Sequence, residues 1–504
     1  MAAAPRLAAI LRSAGLRPAA ADTAISGLGL DSRQASPGQL FCALPSASGR
    51  SRDAVAHVRQ ALARGAAAVL ALPAVLKAVG PLGPAVALPS GDPRRESAKL
   101  AAAFHGHPAL RLRLSGVTGT NGKTTIAHLL HGLLTGNGRR QGALLGTVGY
   151  RIGRRTIEAP NTTPSALQLQ ALFAQALQAG CRTAVMEVSS HALDQGRVEG
   201  LAYQAAVFSN LTRDHLDYHG SLAAYGKAKS RLFAQLRPDG VAVLNAEDPW
   251  SARMAAARTR GSRVLRYHAG GGRAELRAED LVLGMDATRF TLCFGGRRLG
   301  LRLPLPGRFN VANALAAAGA ALGQGMGLAR VAAGLEQPLL PPGRFELLRQ
   351  GQPFNVAVDY AHTPDALERL IRAARDVTPG RVITVFGCGG DRDCGKRPMM
   401  GALAAVLSDR AVLTSDNPRS EDPAAILRQV RAGIPREAAG KALQQGDRRR
   451  AIRLALGLAR RGDSVLIAGK GHEDYQIVGR RKLHFDDRQE ARQGLAGLGY
   501  RGGR

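Results

Sequence analysis

The run Gly116-Val117-Thr118-Gly119-Thr120-Asn121-Gly122-Lys123-Thr124-Thr125 constrains this chain more than any other stretch. Before it, Leu110–Leu114 reads as a strand; after it, Ile126–Leu130 reads as a helix. A strand, a glycine turn and a helix N-terminus form an anion cradle. Backbone N–H groups converge on phosphates, and Lys123 adds a charge near the terminal ones. Thr124 is placed to put its hydroxyl on a phosphate-bound Mg²⁺. The strict spacing asks for glycine at position 117, where this chain has Val117. A structural glycine turn is the bland alternative, and the Gly-Lys-Thr-Thr ending argues against it.

At 504 residues the chain exceeds one hydrophobic core, and about three domains are expected. There is no uninterrupted apolar run of the ~18 residues a membrane span needs, so membrane insertion is not expected. Met1–Ala21 is rich in Ala and Arg and lacks the apolar centre of a secretory signal; Leu7, Ile10 and Leu11 suit the buried side of a short helix. Five cysteines without a CxxC pair favour a reducing compartment, the cytoplasm, over a disulfide framework or zinc site. The net charge of +31 raises the question of nucleic acid, yet aromatic residues make up 4% and offer little for base stacking. No nucleic-acid partner is expected. Arginines such as Arg448-Arg449-Arg450 read as solvated surface, or as a field that draws polyanionic substrates.

Residues 25–89 read as a small α/β unit, with strands at 39–44 and 66–71 and a helix over 53–64. A boundary is expected at Pro89-Ser90-Gly91-Asp92-Pro93. The middle alternates strands (183–188, 205–209, 241–244) with helices, as in a parallel sheet covered on both faces. Residues 274–302 suggest an antiparallel excursion. A second boundary is expected at Leu339-Leu340-Pro341-Pro342-Gly343, and strands follow at 355–358, 381–386, 410–414 and 464–468. The divisions are therefore 1–92, 93–340 and 341–504. Loops after these strands are where ligands of an open α/β sheet bind.

Several such loops carry chemistry. Glu187, ending a strand, can complete a Mg²⁺ shell beside the phosphate loop. Asn210-Leu211-Thr212-Arg213-Asp214-His215-Leu216-Asp217-Tyr218-His219 packs two histidines and two aspartates into six residues, which suits a divalent ion or a phosphoryl clamp. A hydrogen-bonded turn is the alternative. Asp391-Arg392-Asp393-Cys394-Gly395-Lys396-Arg397, Asp416-Asn417-Pro418-Arg419 and Gly469-Lys470-Gly471-His472-Glu473-Asp474 each follow a strand. Singly each reads as a charged surface loop; together they favour one site. Arg419 can take a carboxylate through two parallel hydrogen bonds.

In this order the motifs resemble the Mur ligases of peptidoglycan synthesis, from Leu30-Asp31-Ser32-Arg33 to Gly469–Gln476. In that family Gly-Thr-Asn-Gly-Lys-Thr-Thr is the ordinary form of the ATP loop. The resemblance implies an α/β chain of three domains: a UDP-substrate-binding N-terminal domain, a central P-loop ATPase domain with a mostly parallel sheet, and a Rossmann-like C-terminal domain that takes an amino acid. It implies ATP contacts from Gly119, Thr120, Asn121, Gly122, Lys123, Thr124 and Thr125, with Asn310 and Asn313 by the adenine and Arg344 and Asp359 from the third domain. Leu30 and Ser32 would meet the uridine end, and Asn161, Thr162, Thr163, Ser189, Gln195 and Arg197 the muramoyl dipeptide. Lys229 matches a lysine carried as a carbamate, although alone it reads as a solvated lysine. The metal set would be Thr124, Glu187, His215 and carbamylated Lys229. Arg392, Asp416, Asn417, Pro418, Arg419, Gly469 and Glu473 match the amino-acid pocket, in the Asp-Asn-Pro-Arg form associated with meso-2,6-diaminopimelate. The segment Pro45–Arg50 departs from the family pattern near the UDP site.

The implied activity is ATP-dependent ligation of meso-2,6-diaminopimelate to the D-glutamyl γ-carboxylate of UDP-N-acetylmuramoyl-L-alanyl-D-glutamate through an acyl phosphate. The implied cofactor is Mg²⁺, and a monomer is expected. Lys123, Glu187, His215 and Lys229 would carry the catalysis. A folylpolyglutamate synthetase, a lysine-adding relative and a basic nucleic-acid-gripping ATPase are the competing readings. Asp416–Arg419 and Leu30–Arg33 argue against the first, and Arg419 against the second.

Overall fold

The computed structural model describes residues 4–45 and 51–501. Residues 46–50, where the departure near the UDP site was noted, lie outside the described residues. Three sheets follow one another along the chain, with a small hairpin near its end.

The first sheet has four parallel strands in chain order: Gly27–Gly29, Gln39–Cys42, Ala68–Ala71 and Val86–Pro89. As the sequence suggested, helix Leu7–Ser13 buries Leu7, Ile10 and Leu11 against it. Asp92 caps helix Pro93–Phe104 by accepting from the Arg95 N–H, and Pro93 presets its first turn. Leu100 of that helix joins the core under the first sheet, so the helix beyond the expected boundary packs back across it.

The central sheet has eleven strands. Seven of them (276–282, 263–268, 236–245, 203–208, 113–118, 183–187 and 143–145, in spatial order) run parallel. The antiparallel excursion expected over 274–302 is present as Leu276–Val282, Thr288–Phe294 and Arg297–Leu303 on one flank. The opposite flank carries Tyr150–Ile152 and Arg155–Ile157, strands of three residues, too short to show a period in the sequence. One expectation shifts. Pro108–Arg111 is a 3₁₀ turn, and the strand entering the phosphate loop is Arg113–Thr118. Gly116 therefore belongs to the strand, where a Cβ would come within 2.8 Å of the Tyr203 ring. Helices Lys123–Thr135 and Arg308–Gly323 cover one face through Ile126, Leu130, Val311 and Leu315; Leu114, Met186 and Phe208 lie in the core on the other.

The third sheet orders its strands Glu346–Leu347, Asn355–Asp359, Ser464–Ala468, Val382–Phe386, Arg410–Leu413 and Ala442–Gln444. All pairings are parallel except that of the edge strand Glu346–Leu347. Hairpin Tyr475–Val478/Arg481–His484 follows the last of the parallel strands. The structure corrects the reading of Arg448 as surface: it is fully buried, donating from Nε and Nη2 to the two oxygens of Asp487 at 2.7 Å each. Among the described residues no helix is long and apolar enough to cross a membrane.

Candidate active site

The phosphate loop closes the strand at Thr118 and opens the helix at Lys123. Gly122 is left-handed (φ 87°), and a Cβ there would fall 2.4 Å from Asn313 Oδ1, so the loop is pressed against helix Arg308–Gly323. Asn313 Nδ2 donates to Asn310 Oδ1 (3.2 Å) and Asn310 Nδ2 to the Pro306 carbonyl (2.9 Å), which fixes both expected adenine-side residues beside the loop. Thr120 and Thr125 are buried.

Lys123 Nζ donates to the carbonyls of Gly119 (2.9 Å) and Thr120 (2.8 Å). Lys229 Nζ donates to the same Gly119 carbonyl at 2.8 Å and lies 4.2 Å from the centre of the Tyr225 ring. Lys229 is 1% exposed, which corrects the sequence reading of a solvated lysine. Burial and the neighbouring Lys123 push its pKa well below the ordinary lysine value, with Asp214 opposing. Lys123 is lowered as well, by burial, while Glu187 and Asp214 hold it up.

Glu187 is 1% exposed at its strand end. Its Oε2 accepts from Thr124 Oγ1 (3.0 Å) and Thr147 Oγ1 (3.1 Å), and its Oε1 accepts from the Thr147 N–H (2.9 Å). A buried carboxylate flanked by two hydroxyls beside a phosphate loop is an oxygen donor set of the kind Mg²⁺ takes. Among the described residues no three His, Cys, Asp or Glu side chains cluster as metal ligands, so hydroxyl and phosphate oxygens would have to help complete any shell. His215, left-handed at φ 53°, pairs with Asp214 at 3.4 Å and packs edge-on against His191 and Tyr225. Burial pushes its pKa down to about 4, so its ring is neutral at pH 7.

From Glu187 a hydrogen-bonded chain runs through the residues expected to hold the muramoyl dipeptide. Thr163 Oγ1 donates to the Glu187 carbonyl (2.9 Å) and accepts from the Ser189 N–H (3.0 Å). Thr162 Oγ1 meets Thr147 Oγ1 at 3.1 Å, and Asn161 takes the Tyr150 hydroxyl on its carbonyl (2.5 Å). Arg197 donates to the Thr163 carbonyl (3.2 Å) and, from Nη2, to Gln195 Oε1 (2.6 Å). Gln195 faces a cavity of about 510 Å³, also lined by Arg94, Tyr218, His219, Lys227 and Arg231. Leu30 and Ser32 lie apart from this chain, at the end of the first strand, where Ser32 Oγ donates to Gln60 (2.7 Å).

Residues flanking the third sheet reach the loop directly. Arg344 Nη2 donates to Thr124 Oγ1 at 3.1 Å, and its guanidinium lies 4.6 Å from the Tyr360 ring centre. Asn121 Nδ2 donates to Asp365 Oδ2 at 2.6 Å. Asp359 accepts the N–H groups of Phe345 (2.7 Å) and Ala361 (2.8 Å), and burial raises its pKa.

Around the ends of strands Val382–Phe386, Arg410–Leu413 and Ser464–Ala468 the three charged loops do meet. Lys470, fully buried, donates to Asn417 Oδ1 (3.1 Å) and the Tyr475 carbonyl (2.7 Å) and lies 3.2 Å from Asp416. Burial drives the Asp416 pKa up, but Lys470 and Arg448 outweigh it and the carboxyl stays below its ordinary value. Asn417 Nδ2 donates to Glu473 Oε2 (3.1 Å); burial, then Asp416, raises the Glu473 pKa. Gly469 is left-handed-side backbone (φ 118°) with Arg448 beneath it. Pro418 is buried against Gly390, whose Cβ, if present, would fall 1.9 Å from the Pro418 carbonyl. Arg392 is exposed at the rim. Arg419 is half-buried, donates one bond to the Gly390 carbonyl (2.7 Å), and among the described residues has no carboxylate within 4.0 Å.

Sequence reasoning missed Thr147, Tyr225 and Asp365. The first two reach the site only through tertiary packing, and no motif marks them. Asp365 reads as an ordinary first-turn acid behind the Thr363 cap.

Residues 117–321 match the Mur ligase middle domain and residues 343–471 the Mur ligase, glutamate ligase domain. The UDP-N-acetylmuramoyl-L-alanyl-D-glutamate–2,6-diaminopimelate ligase of Gloeobacter violaceus is 48% identical over 95% of this chain and 96% of its own length. That of Synechococcus elongatus is 47% identical over 95% of each. A solved ligase of the same description superposes with a TM-score of 0.67 at 36% identity, covering 95% of this chain and 96% of its own. A loop of this spacing touched by Arg344 and Asp365, a buried oxygen cluster and three charged loops that meet thus coincide with sequence identity over nearly the whole length: the chain belongs to the Mur ligase family.

Proposed function

We propose that this chain joins meso-2,6-diaminopimelate to the D-glutamyl γ-carboxylate of UDP-N-acetylmuramoyl-L-alanyl-D-glutamate, with ATP converted to ADP and phosphate. Residues 1–92 hold the uridine end, 93–340 the nucleotide and muramoyl dipeptide, and 341–504 the amino acid. The enzyme acts as a monomer in the cytoplasm. The observation that carries this reading is Arg419, a half-buried guanidinium with one bond to backbone and no carboxylate partner among the described residues. A substrate with a distal carboxylate completes it; L-lysine, which lacks that group, leaves it unpaired.

The γ-carboxylate oxygen attacks the terminal phosphorus of ATP, ADP leaves, and the acyl phosphate forms. Lys123 places its charge beside the loop carbonyls where the transferred phosphoryl group passes, and Arg344 enters from the opposite wall. Thr163, Ser189, Gln195 and Arg197 hold the dipeptide so that its acid faces that phosphorus. The free amine then attacks the acyl carbon, a tetrahedral intermediate forms, and phosphate leaves with the amide made. Asp416, Asn417, Glu473 and Arg392 orient the amino acid for that attack. Thr124, Glu187, His215 and Lys229 as a carbamate would hold Mg²⁺, which neutralises phosphate charge when bound. Burial of Lys229 favours the neutral amine from which a carbamate is made.

ADP release measured with the UDP-muramoyl dipeptide tests the reading. Release should depend on meso-diaminopimelate and be at least about a hundredfold weaker with L-lysine, as expected from one lost charge-assisted pair. Equal turnover of the two amino acids would refute it.

A further inference from the structure

Arg419 does not hold its position alone. Its φ is 52°, in the left-handed region that an arginine rarely adopts, so its surroundings must impose the conformation. On one side the hairpin imposes it. The Arg419 N–H donates to the Ile477 carbonyl (3.1 Å), and the Gly479 N–H donates back to the Arg419 carbonyl (2.8 Å). On the other side the guanidinium rests on Gly390, in a loop with a second left-handed residue, Asp391 at φ 52°.

That loop is in turn anchored by a charge pair outside the pocket described above. Arg397, 1% exposed, donates to both oxygens of Glu421 (2.7 and 2.8 Å), to Gln429 Oε1 (2.8 Å) and to the Gly389 carbonyl (3.1 Å). Glu421 Oε1 also accepts from the Asp391 N–H at 2.6 Å, and the Gly390 N–H donates to the Asn417 carbonyl at 2.9 Å. Asp391 returns the contact by accepting from the Ser420 N–H (3.2 Å) and hydroxyl (2.6 Å). Glu421 thus closes a ring of bonds from Arg397 through residues 389–391 to the backbone on both sides of Arg419.

We infer that Glu421, gripped by Arg397, is a positioning residue for amino-acid selection: it fixes the Gly389–Asp391 loop whose carbonyl aims the Arg419 fork at the distal carboxylate of the substrate. The inference rests on the proposed ligase reading. A bidentate pair is sensitive to angle, so releasing the loop weakens recognition of the distal carboxylate more than any other step.

The test uses the full chain with Glu421→Ala and Glu421→Gln, reading kcat and KM for all three substrates and the preference for meso-diaminopimelate over L-lysine. Glu421→Ala should raise the KM for meso-diaminopimelate about tenfold and lower the preference by a similar factor, as loss of one charged hydrogen-bond anchor implies. The KM values for ATP and the UDP-muramoyl dipeptide should stay within about twofold, because those sites share no bond with the ring. Glu421→Gln keeps an acceptor for the Asp391 N–H and should recover part of the loss. Should Glu421→Ala fail to fold around the orphaned Arg397, the double variant Arg397→Met with Glu421→Ala serves in its place. It removes the stranded charge together with the anchor and should show the same pattern. An unchanged preference with a uniform fall in kcat overturns the inference while leaving the ligase reading intact. A wild-type chain that makes no amide overturns the reading itself.

Discussion

Arg448→Met should destabilise the third sheet far more than removal of a single hydrogen bond. The Arg448 and Asp487 side chains are both 0% exposed and share two bonds of 2.7 Å. Arg448 Nη2 also donates to the Ala468 carbonyl at 2.9 Å. Methionine fills much of the same volume but leaves Asp487 buried without its partner, a loss of about 3–5 kcal/mol. For a folding unit of this size that is a fall of roughly 6–20 °C in the transition of the C-terminal part. Replacing both partners, Arg448→Met with Asp487→Leu, removes the stranded charge and should recover most of the loss, because the gain from a buried pair is largely offset by desolvation. Differential scanning calorimetry of the two variants, with urea titration as a check, reads the comparison. A single variant that loses less than about 1 kcal/mol, or a double variant no better than the single one, would refute the assignment of this pair as a charge kept in place by its partner.

Lys123→Ala should lower ligation by at least about a hundredfold, the scale of one preorganised donor lost from a charged transition state, with phosphate release as the assay. Arg419→Leu should cut kcat/KM for meso-diaminopimelate by about two orders of magnitude and leave the weak reaction with L-lysine unchanged or improved; a uniform loss for both amino acids would count against a role in selection. Gly343→Ala should raise the KM for ATP, since a Cβ there would fall 2.1 Å from the backbone of Gly471 and push Arg344 off Thr124; an unchanged KM would show that the linker yields freely. Burial pushes both His131 and His362 down to about 4, the latter with help from Lys396. The unfolded chain protonates histidine near 6.5 and so binds more protons between those values, which means stability falls as pH drops from about 6.5 towards 4. Urea midpoints at pH 7, 5.5 and 4.5 should decline in that order, and a midpoint that rises in acid would contradict the sign.

The phosphate loop and the Asp416–Arg419 turn were legible because their chemistry is written in contiguous residues. Glycines sit where the backbone must turn, and charges follow directly on a strand end. The strand-end rule also drew the three charged loops of the third sheet into one site, and Lys470 does bridge two of them. Burial of charge was not legible. Arg397, Arg448 and Lys229 are spelled as ordinary surface residues, and what buries each one is a partner 24 to 110 positions away. Thr147 escaped for the same reason: its hydroxyl matters because strands of three residues carry it to Glu187, and segments that short leave no period to read. The early start of helix Lys123–Thr135 was obscured by threonines, which favour caps in isolation but here lie packed in the first turn.

Asn121 and Thr124 lie three positions apart, and each is touched from the last third of the chain, by Asp365 and Arg344. A nucleotide bound at this loop, as proposed, would meet side chains that are already engaged. On the proposed reading, occupancy of the cradle would bear directly on how the last third of the chain sits. If the last third of the chain takes the amino acid as proposed, two side chains would join that region to the loop without a long relay.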